Sequence, residues 1–425
     1  METVLVREKQ GFLELIKIHA YMKYMLAQMI SRFGDSVDSI AYSWMVYTLT
    51  GSELLMGSIF AFNYLPGLIF SLFTGVFVDR WSKKAVLIIT YSGRGIFVTI
   101  TAILFAVDHL QVWHLFMFTF MNSLLECFSR PAEMSLVPHL LPKEKLLAGN
   151  SFSTSVSRTA ELIGITTAGA LIALIGLAGT IAIDAVTFLL SAVIIAFIPN
   201  PEHDDKLDSA AQQSSGSDNT SKSVIGEMKE ALAFLRKHSL LMTTALLAAY
   251  INFCLTPLNV LQPIYVRETL GSGAGGMSAL GSGMLIGMIA GGIWMGNYGG
   301  KYKKSSLIIT GSLLLGLGYM LMSVPSIMPL FRMEAATVCM FITGFAVILT
   351  STPFSTYLME ATPKNMLGRI GALIAVMCTG AMPLGSFLSG LAAKYSSPPM
   401  LFMIMGLLVM VPVVLLFGKK NFRSI

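Results

Sequence analysis

Long apolar segments recur from one end of this 425-residue chain to the other, and they constrain the fold more than any other feature. A helix that crosses a bilayer needs about 20 predominantly apolar residues, because lipid offers its backbone no hydrogen bonds. Twelve segments, named spans 1 to 12, meet this requirement: 23–46, 54–78, 84–106, 112–136, 151–174, 178–198, 241–265, 278–299, 305–324, 336–359, 367–392 and 399–417. Only 12% of the residues are charged, against about 25% in soluble domains. The sequence therefore predicts an all-α integral membrane protein with twelve transmembrane helices.

Basic residues predict the orientation of the spans. Most of the 29 Lys and Arg residues lie in the two termini and in the even-numbered loops. In the loops on the other side there are only Arg267, Arg332 and Lys394. Because cytoplasmic loops are enriched in basic residues, we expect both termini in the cytoplasm. The net charge of +6 therefore reflects membrane orientation, and no nucleic-acid partner is expected.

The chain divides into two similar halves. A polar, low-complexity stretch at 199–222 is followed by a short amphipathic segment with a basic end. Features on either side match at a constant offset of 221 positions: GVFVDRWSKK, which begins at Gly75, with GNYGGKYKK, which begins at Gly296, Pro142 with Pro363, and Gly164 and Gly169 with Gly385 and Gly390. We predict a six-helix half at 1–198, a cytoplasmic linker with an amphipathic helix at 199–238, and a second half at 239–425. Parallel repeats imply a substrate site between the halves near the membrane midplane, with alternating access.

Several stretches carry a family resemblance. The segment at 75–84 resembles the loop signature G-x-x-x-D-R-x-x-R/K-R/K of the major facilitator superfamily. A resemblance to the macrolide-efflux and enterobactin-exporter branch of its twelve-span drug:proton antiporters is carried by FGDSVDSIAYSWMVYTLTGS, RPAEMSLVPHLLPKEKLLAGN and GRIGALIAVMCTGAMPLGSFLSG. It implies the major facilitator fold, a small-molecule substrate, protons as the coupling ion and a place in the bacterial inner (cytoplasmic) membrane. We also expect a functional monomer, with neither a cofactor nor a metal ion.

The signature predicts a latch at the cytoplasmic end of span 2. Its residues are Gly75, Asp79, Arg80, Lys83 and Lys84. The carboxylate of Asp79 can accept hydrogen bonds from the exposed N–H groups that begin span 11, where the helix dipole favours an anion. The resemblance implies that this latch holds the outward-facing state. The alternative is an ordinary basic loop, which explains the Lys residues but not Asp79. In the second repeat Gly300 replaces the acid, so a second latch is expected to be weak or lost.

Small residues mark spans 5 and 11. They are Gly164 and Gly169 on span 5, and Gly380, Pro383, Gly385 and Gly390 on span 11. Glycine lets two helix backbones approach closely, and we expect this approach between the two halves. The span 5 pattern resembles the antiporter signature of that helix, although Ile165 stands where the signature has Pro. Generic helix packing is the alternative explanation.

Charged residues inside the spans lie almost entirely in the first half. The acids are Asp35, Asp38, Glu126, Glu133, Glu161 and Asp184, and the bases are Arg32, Arg94, Arg130 and Arg158. The second half holds Arg369 alone, at the mouth of span 11. Intramembrane ionisable groups are costly, so each is a functional candidate. The asymmetry predicts ion coupling in the first half and an apolar substrate wall in the second, built from adaptable residues such as the 28 Met and 26 Phe of the chain.

Depth ranks these acids. Asp35, Glu126 and Glu161 fall at the middles of spans 1, 4 and 5, which line the cavity in the superfamily that the chain resembles. We expect these three to carry protons, Asp35 first, because a carboxyl group in low dielectric without a partner can exchange a proton. The expected charge partners are Arg32, Asp38, Arg94, Arg130, Glu133 and Arg158, with Arg94 on the peripheral span 3. The alternative is that every acid is locked in a structural ion pair.

The function expected from these features is transport. The chain has no G-x-x-x-x-G-K-[ST] sequence for nucleotide binding and no catalytic constellation, so we do not expect an enzyme. The main hypothesis is a proton-coupled exporter of hydrophobic or amphipathic small molecules, drug-like or macrolide-like. Two alternatives stay open: a siderophore exporter, and a lysophospholipid or lipid transporter of the same fold.

Overall fold

The computed structural model of the protein describes residues 15–142, 145–199, 224–363 and 366–417. Over these ranges the chain is almost entirely helical and contains no strand, so the predicted all-α class is confirmed. The long helices are α1 (His19–Thr50), α2 (Glu53–Arg80), α3 (Lys83–Ala106), α4 (Val112–Leu140), α5 (Leu146–Ala196), α6 (Val224–Lys237), α7 (Ser239–Ile264), α8 (Ala274–Tyr298), α9 (Lys304–Leu321), α10 (Arg332–Ala361), α11 (Leu367–Ala393) and α12 (Pro398–Phe417).

Helix α5 contains both predicted spans 5 and 6, joined at a kink. The kink residue, Gly176, has φ 73° and ψ 176°. Residues with a Cβ rarely adopt a positive φ of this kind, whereas glycine does so readily. We refer to residues 146–175 as segment α5a and to residues 177–196 as segment α5b. The chain therefore passes from span 5 to span 6 without a separate loop.

Nine helices in the described ranges are long and apolar enough to cross a membrane. Helices α1 and α4 are not among them, and both carry charged residues in their interior: Arg32, Asp35 and Asp38 in α1, and Glu126, Arg130 and Glu133 in α4. Helix α5 counts once although it contains two predicted spans. The multi-pass helical architecture is thus established, while the count of twelve and the cytoplasmic termini stay predictions.

The chain forms two compact units. Unit 1 comprises Met1–Met45 and Leu65–Asp218, and unit 2 comprises Val46–Tyr64 and Asn219–Ile425. One boundary between the two units lies after Asp218, inside the segment that we interpret as the linker. The exchange of residues 46–64 into unit 2 has no counterpart in the predicted boundaries.

Close helix contacts hold unit 1 together around α1. A Cβ on Gly164 would lie 2.7 Å from the carbonyl oxygen of Phe33, so α5a touches the α1 backbone. Segment α5b touches the same helix, because Ser191 donates a hydrogen bond to the carbonyl of Ala27 at 2.9 Å. Helix α3 packs against both α4 and α5. The charged positions of α1 are therefore surrounded by helices that carry charges of their own.

Unit 2 is held by glycine stripes. Gly283, Gly287 and Gly291 follow one another at four-residue spacing on α8, and each faces the backbone of α10. A Cβ on Gly287 would overlap the carbonyl oxygen of Phe341. Such small-residue faces let membrane helices gain contact by close approach, since lipid gives them little hydrophobic drive to associate. Helix α7 packs on α11, and α9 packs on α12.

Residues 46–64 are fixed within unit 2 by two contacts. A Cβ on Gly57 would lie 3.0 Å from the Cα of Gly390, so the start of α2 meets α11 with no side chain between them. The hydroxyl of Tyr47 donates to Oε1 of Glu268 at 2.9 Å. These two residues are 221 positions apart, which is the offset of the sequence repeat. The contact therefore joins equivalent positions of the two copies.

The amphipathic segment before α7 is a helix, α6. Its Leu235 is fully buried in a cluster with Leu241, Ala245 and Ile370. Its last turn is basic, with Arg236 and Lys237. The apolar face of α6 thus packs on α7 and α11 of unit 2.

Candidate functional site

A charged cavity lies inside unit 1, between α1, α4 and α5a. Its volume is about 590 Å³. Six charged side chains line it: Arg32, Asp35, Arg130, Glu133, Arg158 and Glu161. Serine, threonine and glutamine side chains complete the wall, including Ser36, Ser153 and Gln28. The structure therefore brings together charges that are more than 120 positions apart in the sequence, since Arg32 and Glu161 share one cavity.

Arg94 and Asp35 form the most buried ion pair that the structure describes. Arg94 Nη2 donates to Asp35 Oδ1 at 2.7 Å, and the two side chains are 14% and 27% exposed. The guanidinium also lies over the ring of Phe188, 4.1 Å from its centroid. A cation that is removed from water is stabilised by a hydrogen bond to a carboxylate and by contact with the face of an aromatic ring. Arg94 thus ties α3 to α1 and to α5b at once.

The other two acids expected to carry protons are also paired. Arg130 Nη2 donates to Glu126 Oε1 at 2.6 Å, four residues apart on α4. Arg158 Nη1 donates to Glu161 Oε2 at 2.8 Å, three residues apart on α5a. Both arginines are more than half exposed to the cavity, at 68% and 55%. The pairs follow from helix spacing, because side chains three or four positions apart share a face.

Glu133 lies deeper than these pairs. It is 3.9 Å from Arg32 Nη2 and accepts a hydrogen bond of 2.8 Å from the hydroxyl of Tyr91. Arg32 is therefore shared between the cavity and a buried acid, and Tyr91 links the site to α3. The aromatic ring of Tyr91 in turn packs near Phe188, with ring centroids 6.1 Å apart.

Asp184 and Asp38 stand apart, because neither forms an ion pair among the residues that the structure describes. Asp184, on α5b, is 1% exposed and accepts a hydrogen bond of 3.3 Å from the Thr187 hydroxyl. Asp38 has one carboxylate oxygen that is buried and lacks a hydrogen-bond partner in the described part of the chain. The sequence analysis counted Asp184 among the intramembrane acids but named it neither as a proton carrier nor as a charge partner. The available signal was that span 6, at 178–198, holds no other charge, so a partner within its own helix is impossible.

Unit 2 contains a cavity of the opposite character. It lies between α7, α9, α10 and α11 and has a volume of about 250 Å³. Most of its wall is aliphatic or aromatic: Leu247, Ile251, Leu255, Ile308, Leu315, Val347 and Phe354. Its polar groups are neutral, such as Asn252, Thr350 and Ser351, and no charged residue is among the described lining. An apolar pocket with a few neutral polar groups is typical of sites that bind hydrophobic small molecules.

The latch residues are only partly visible. The side chains of Gly75, Asp79 and Arg80 lie outside the described ones, as do those at the start of α11. Lys84 donates a hydrogen bond of 2.6 Å to the carbonyl oxygen of Ile198, beyond the end of α5b. In the second copy Lys304 is paired with Glu360, and a Cβ on Gly300 would meet nothing within 4 Å. The latch therefore stays a prediction.

The small residues of spans 5 and 11 make contacts within their own units. Gly164 lies against α1 in unit 1. Gly385 faces Thr256 of α7, and Gly390 faces the start of α2, both in unit 2. Pro383 lies inside α11. The expected role of these residues, together with Gly169 and Gly380, between the two halves stays a prediction.

Helical, multi-pass membrane architecture with internal cavities is typical of membrane transporters. The chain belongs to the Major Facilitator Superfamily, whose sequence pattern matches residues 24–386. The protein is therefore a transporter and not an enzyme.

Relatives and solved structures agree with this membership. The chain is 25% identical to macrolide efflux protein A of Streptococcus pyogenes over 386 residues, covering 90% of this chain and 91% of that protein. It is 24% identical to the multidrug efflux pump Tap of Mycolicibacterium fortuitum over 379 residues, covering 86% and 87%. The crystal structure of the nucleoside transporter NupG superimposes with a TM-score of 0.72 at 13% identity, covering 95% of this chain and 100% of NupG. At that identity the likeness to NupG shows the fold alone.

Proposed function

We propose that the protein exports hydrophobic or amphipathic small molecules of the drug or macrolide type in exchange for protons. The observation that carries the proposal is the division of chemistry between the units. Unit 1 holds a cavity lined by six charged side chains, and unit 2 holds an uncharged, mainly apolar cavity. Two relatives, macrolide efflux protein A and the multidrug efflux pump Tap, are named for efflux, which supports the same direction of transport and the same substrate class.

A proton gradient is the energy source that suits these residues. The chain has no phosphate-binding loop with which to use a nucleotide. Ionisable groups within membrane helices are costly, and proton relays are a common reason for keeping them. The charged residues of unit 1 are thus the coupling machinery, and the apolar wall of unit 2 receives the substrate.

Alternating access supplies the mechanism. Two parallel six-helix repeats, each with three to four cavity-lining helices, expose a substrate site to one side of the membrane at a time. In this proposal the twelve spans place both termini in the cytoplasm, the protein lies in a bacterial cytoplasmic membrane, and one chain is sufficient. The Asp79 latch favours the outward-facing state.

One observation favours a second candidate, an exporter of anionic compounds such as siderophores. Arg130 and Arg158 are 68% and 55% exposed and line the same cavity. A guanidinium that is only half covered by its acid can still bind a carboxylate or phenolate of a substrate. A hydrophobic drug would not need either residue.

Drug accumulation in cells tests the proposal. The chain is expressed in a bacterium without its own macrolide pumps, and uptake of radiolabelled erythromycin is followed with and without a protonophore. Cells with the protein are expected to accumulate less erythromycin than cells with the empty vector, and the protonophore should remove the difference. The same measurement is made with a hydrophobic dye. If the strain with the protein and the strain with the empty vector accumulate equal amounts of erythromycin and equal amounts of the dye, the proposal is contradicted. Efflux of a siderophore or lysophospholipid in its place would identify the alternative.

A further inference from the structure

We propose that Asp38 and Asp184 together hold the transported proton, and that Arg94 changes its partner when this proton leaves. The inference rests on the proposed proton coupling and assigns it to residues other than the paired acids Asp35, Glu126 and Glu161. It starts from a juxtaposition of α1 and α5b. A Cβ on Gly34 would overlap the Thr187 hydroxyl and lie 2.5 Å from Asp184 Oδ1.

This contact places the two acids on one helix interface. Gly34 and Asp38 are four residues apart on α1, so they share a face of the helix. Since Gly34 touches Asp184, the carboxyl group of Asp38 lies one turn along the same interface. The two groups are electrostatic neighbours, and each also interacts with Asp35 and with Arg94.

The hydrogen bonds around the pair are incomplete. Asp38 Oδ1 is buried without a partner among the residues that the structure describes. Arg94 Nε is likewise buried, and it has no described acceptor, although the other end of the guanidinium is bound to Asp35. A buried acceptor and a buried donor thus remain unused in one cluster. Buried polar groups in native proteins are almost always satisfied, and in our proposal this acceptor and this donor pair with each other after the proton has left.

The charge balance of the cluster also supports a shared proton. Three carboxyl groups, those of Asp35, Asp38 and Asp184, face the single guanidinium of Arg94. The other ionisable groups nearby are Tyr42, hydrogen-bonded to Thr119, Glu126, bound to Arg130, and Tyr91, which donates to Glu133. Arg32 also interacts with Asp35, but it is 3.9 Å from Glu133, so each further arginine is matched by an acid of its own. Two uncompensated negative charges in a low-dielectric interior are strongly unfavourable, and one proton shared between two close acids relieves them.

The acids predicted from the sequence fit this role less well. Asp35, Glu126 and Glu161 each accept a hydrogen bond of 2.6 to 2.8 Å from an arginine. Each of these three carboxylates is therefore already held by a charge-assisted hydrogen bond from an arginine, which Asp38 and Asp184 lack in the described part of the chain. Asp35 instead has a communicating role, because it lines the charged cavity while holding Arg94.

The cycle then has two steps with the proton accounted for. When the site opens outward, a proton from water binds a carboxylate oxygen of Asp38 or Asp184, and Arg94 stays with Asp35. When the site opens inward, that O–H bond breaks and the proton passes to cytoplasmic water. The new carboxylate accepts the N–H of Arg94 Nε, which weakens the bond from Arg94 to Asp35. The loosened Asp35 alters the charged cavity and so couples proton release to substrate movement.

Proton release and counterflow test this assignment. Purified wild type, Asp38→Asn and Asp184→Asn are mixed with erythromycin in weakly buffered detergent, and released protons are read with a pH dye. The same proteins in vesicles are assayed for erythromycin counterflow, which exchanges substrate without net proton movement. Asp108→Asn is the matched control, because Asp108 is exposed in a loop at φ 55°, a conformation that Asn tolerates.

The expected result is loss of proton release in Asp38→Asn and Asp184→Asn with counterflow retained. Asp108→Asn should release protons as wild type does. Proton release at the wild-type level in either Asn variant would overturn the assignment. Loss of both proton release and counterflow in a variant that remains monodisperse would also overturn it, because that result indicates a structural role. Failure of the proposed function looks different: wild type itself then shows no release and no counterflow. A wild type driven by a sodium gradient at equal pH on the two sides would also overturn the proposal.

Discussion

Replacement of Arg94 by Met should cost far more stability than the same change at Arg158. The side chain of Arg94 is 14% exposed and is 2.7 Å from Asp35, whereas that of Arg158 is 55% exposed and 2.8 Å from Glu161. Removing one member of a buried ion pair costs about 3–5 kcal/mol, because the remaining charge loses its partner away from water. Loss of the contact with Phe188 adds about 1 kcal/mol. An exposed pair contributes only about 0.2–1 kcal/mol.

The assay is the free energy of unfolding in mixed micelles, obtained by denaturant titration and followed by tryptophan fluorescence. We expect Arg94→Met to lower this free energy by about 4 kcal/mol, and Arg158→Met by at most about 1 kcal/mol. The double variant Asp35→Asn/Arg94→Met should recover part of the loss, since it leaves one buried charge fewer. Equal losses for Arg94→Met and Arg158→Met would refute the argument that burial sets the strength of these pairs.

Three further outcomes follow from the packing. In the same denaturant titration, Gly287→Ala should lower the free energy of unfolding by about 1–3 kcal/mol, because its methyl group would overlap α10. Gly292→Ala on the same helix should leave this free energy unchanged, because its Cβ would meet nothing within 4 Å. Val347→Trp should fill the unit 2 cavity and weaken erythromycin binding measured by equilibrium dialysis, while Val338→Trp, at an exposed position of α10, should leave binding unchanged. Gly34→Ala should separate α1 from α5b and impair gradient-driven erythromycin transport in vesicles, and normal transport in this variant would contradict the contact with Asp184.

Periodic apolar segments and helix spacing made much of the architecture predictable. Apolar runs of the length of a membrane indicated the helices, because hydrocarbon leaves the backbone no alternative. The pairs Arg130–Glu126 and Arg158–Glu161 also follow from spacing, since each lies on one helix face. The absence of charges within spans 7 to 10 anticipated an uncharged cavity in unit 2.

Contacts between helices were not predictable in the same way. The pairing of Arg94 with Asp35 depends on how α3 sits against α1, which no local pattern records. The position of Asp184 beside Gly34 depends on the kink at Gly176, which turns α5b back along α1. The sequence predicted a break between spans 5 and 6 at 175–177, but it did not predict how the kink there places α5b against α1.

Transport by the purified protein tests the central claim most directly. Wild type is reconstituted in vesicles with an acidic interior, and uptake of labelled erythromycin is measured before and after the pH gradient is collapsed with nigericin. Proton-coupled export predicts that vesicles accumulate erythromycin above protein-free controls while the gradient lasts, and that nigericin ends the accumulation. Uptake of the same extent with and without the gradient, or none above the protein-free vesicles, would contradict the account.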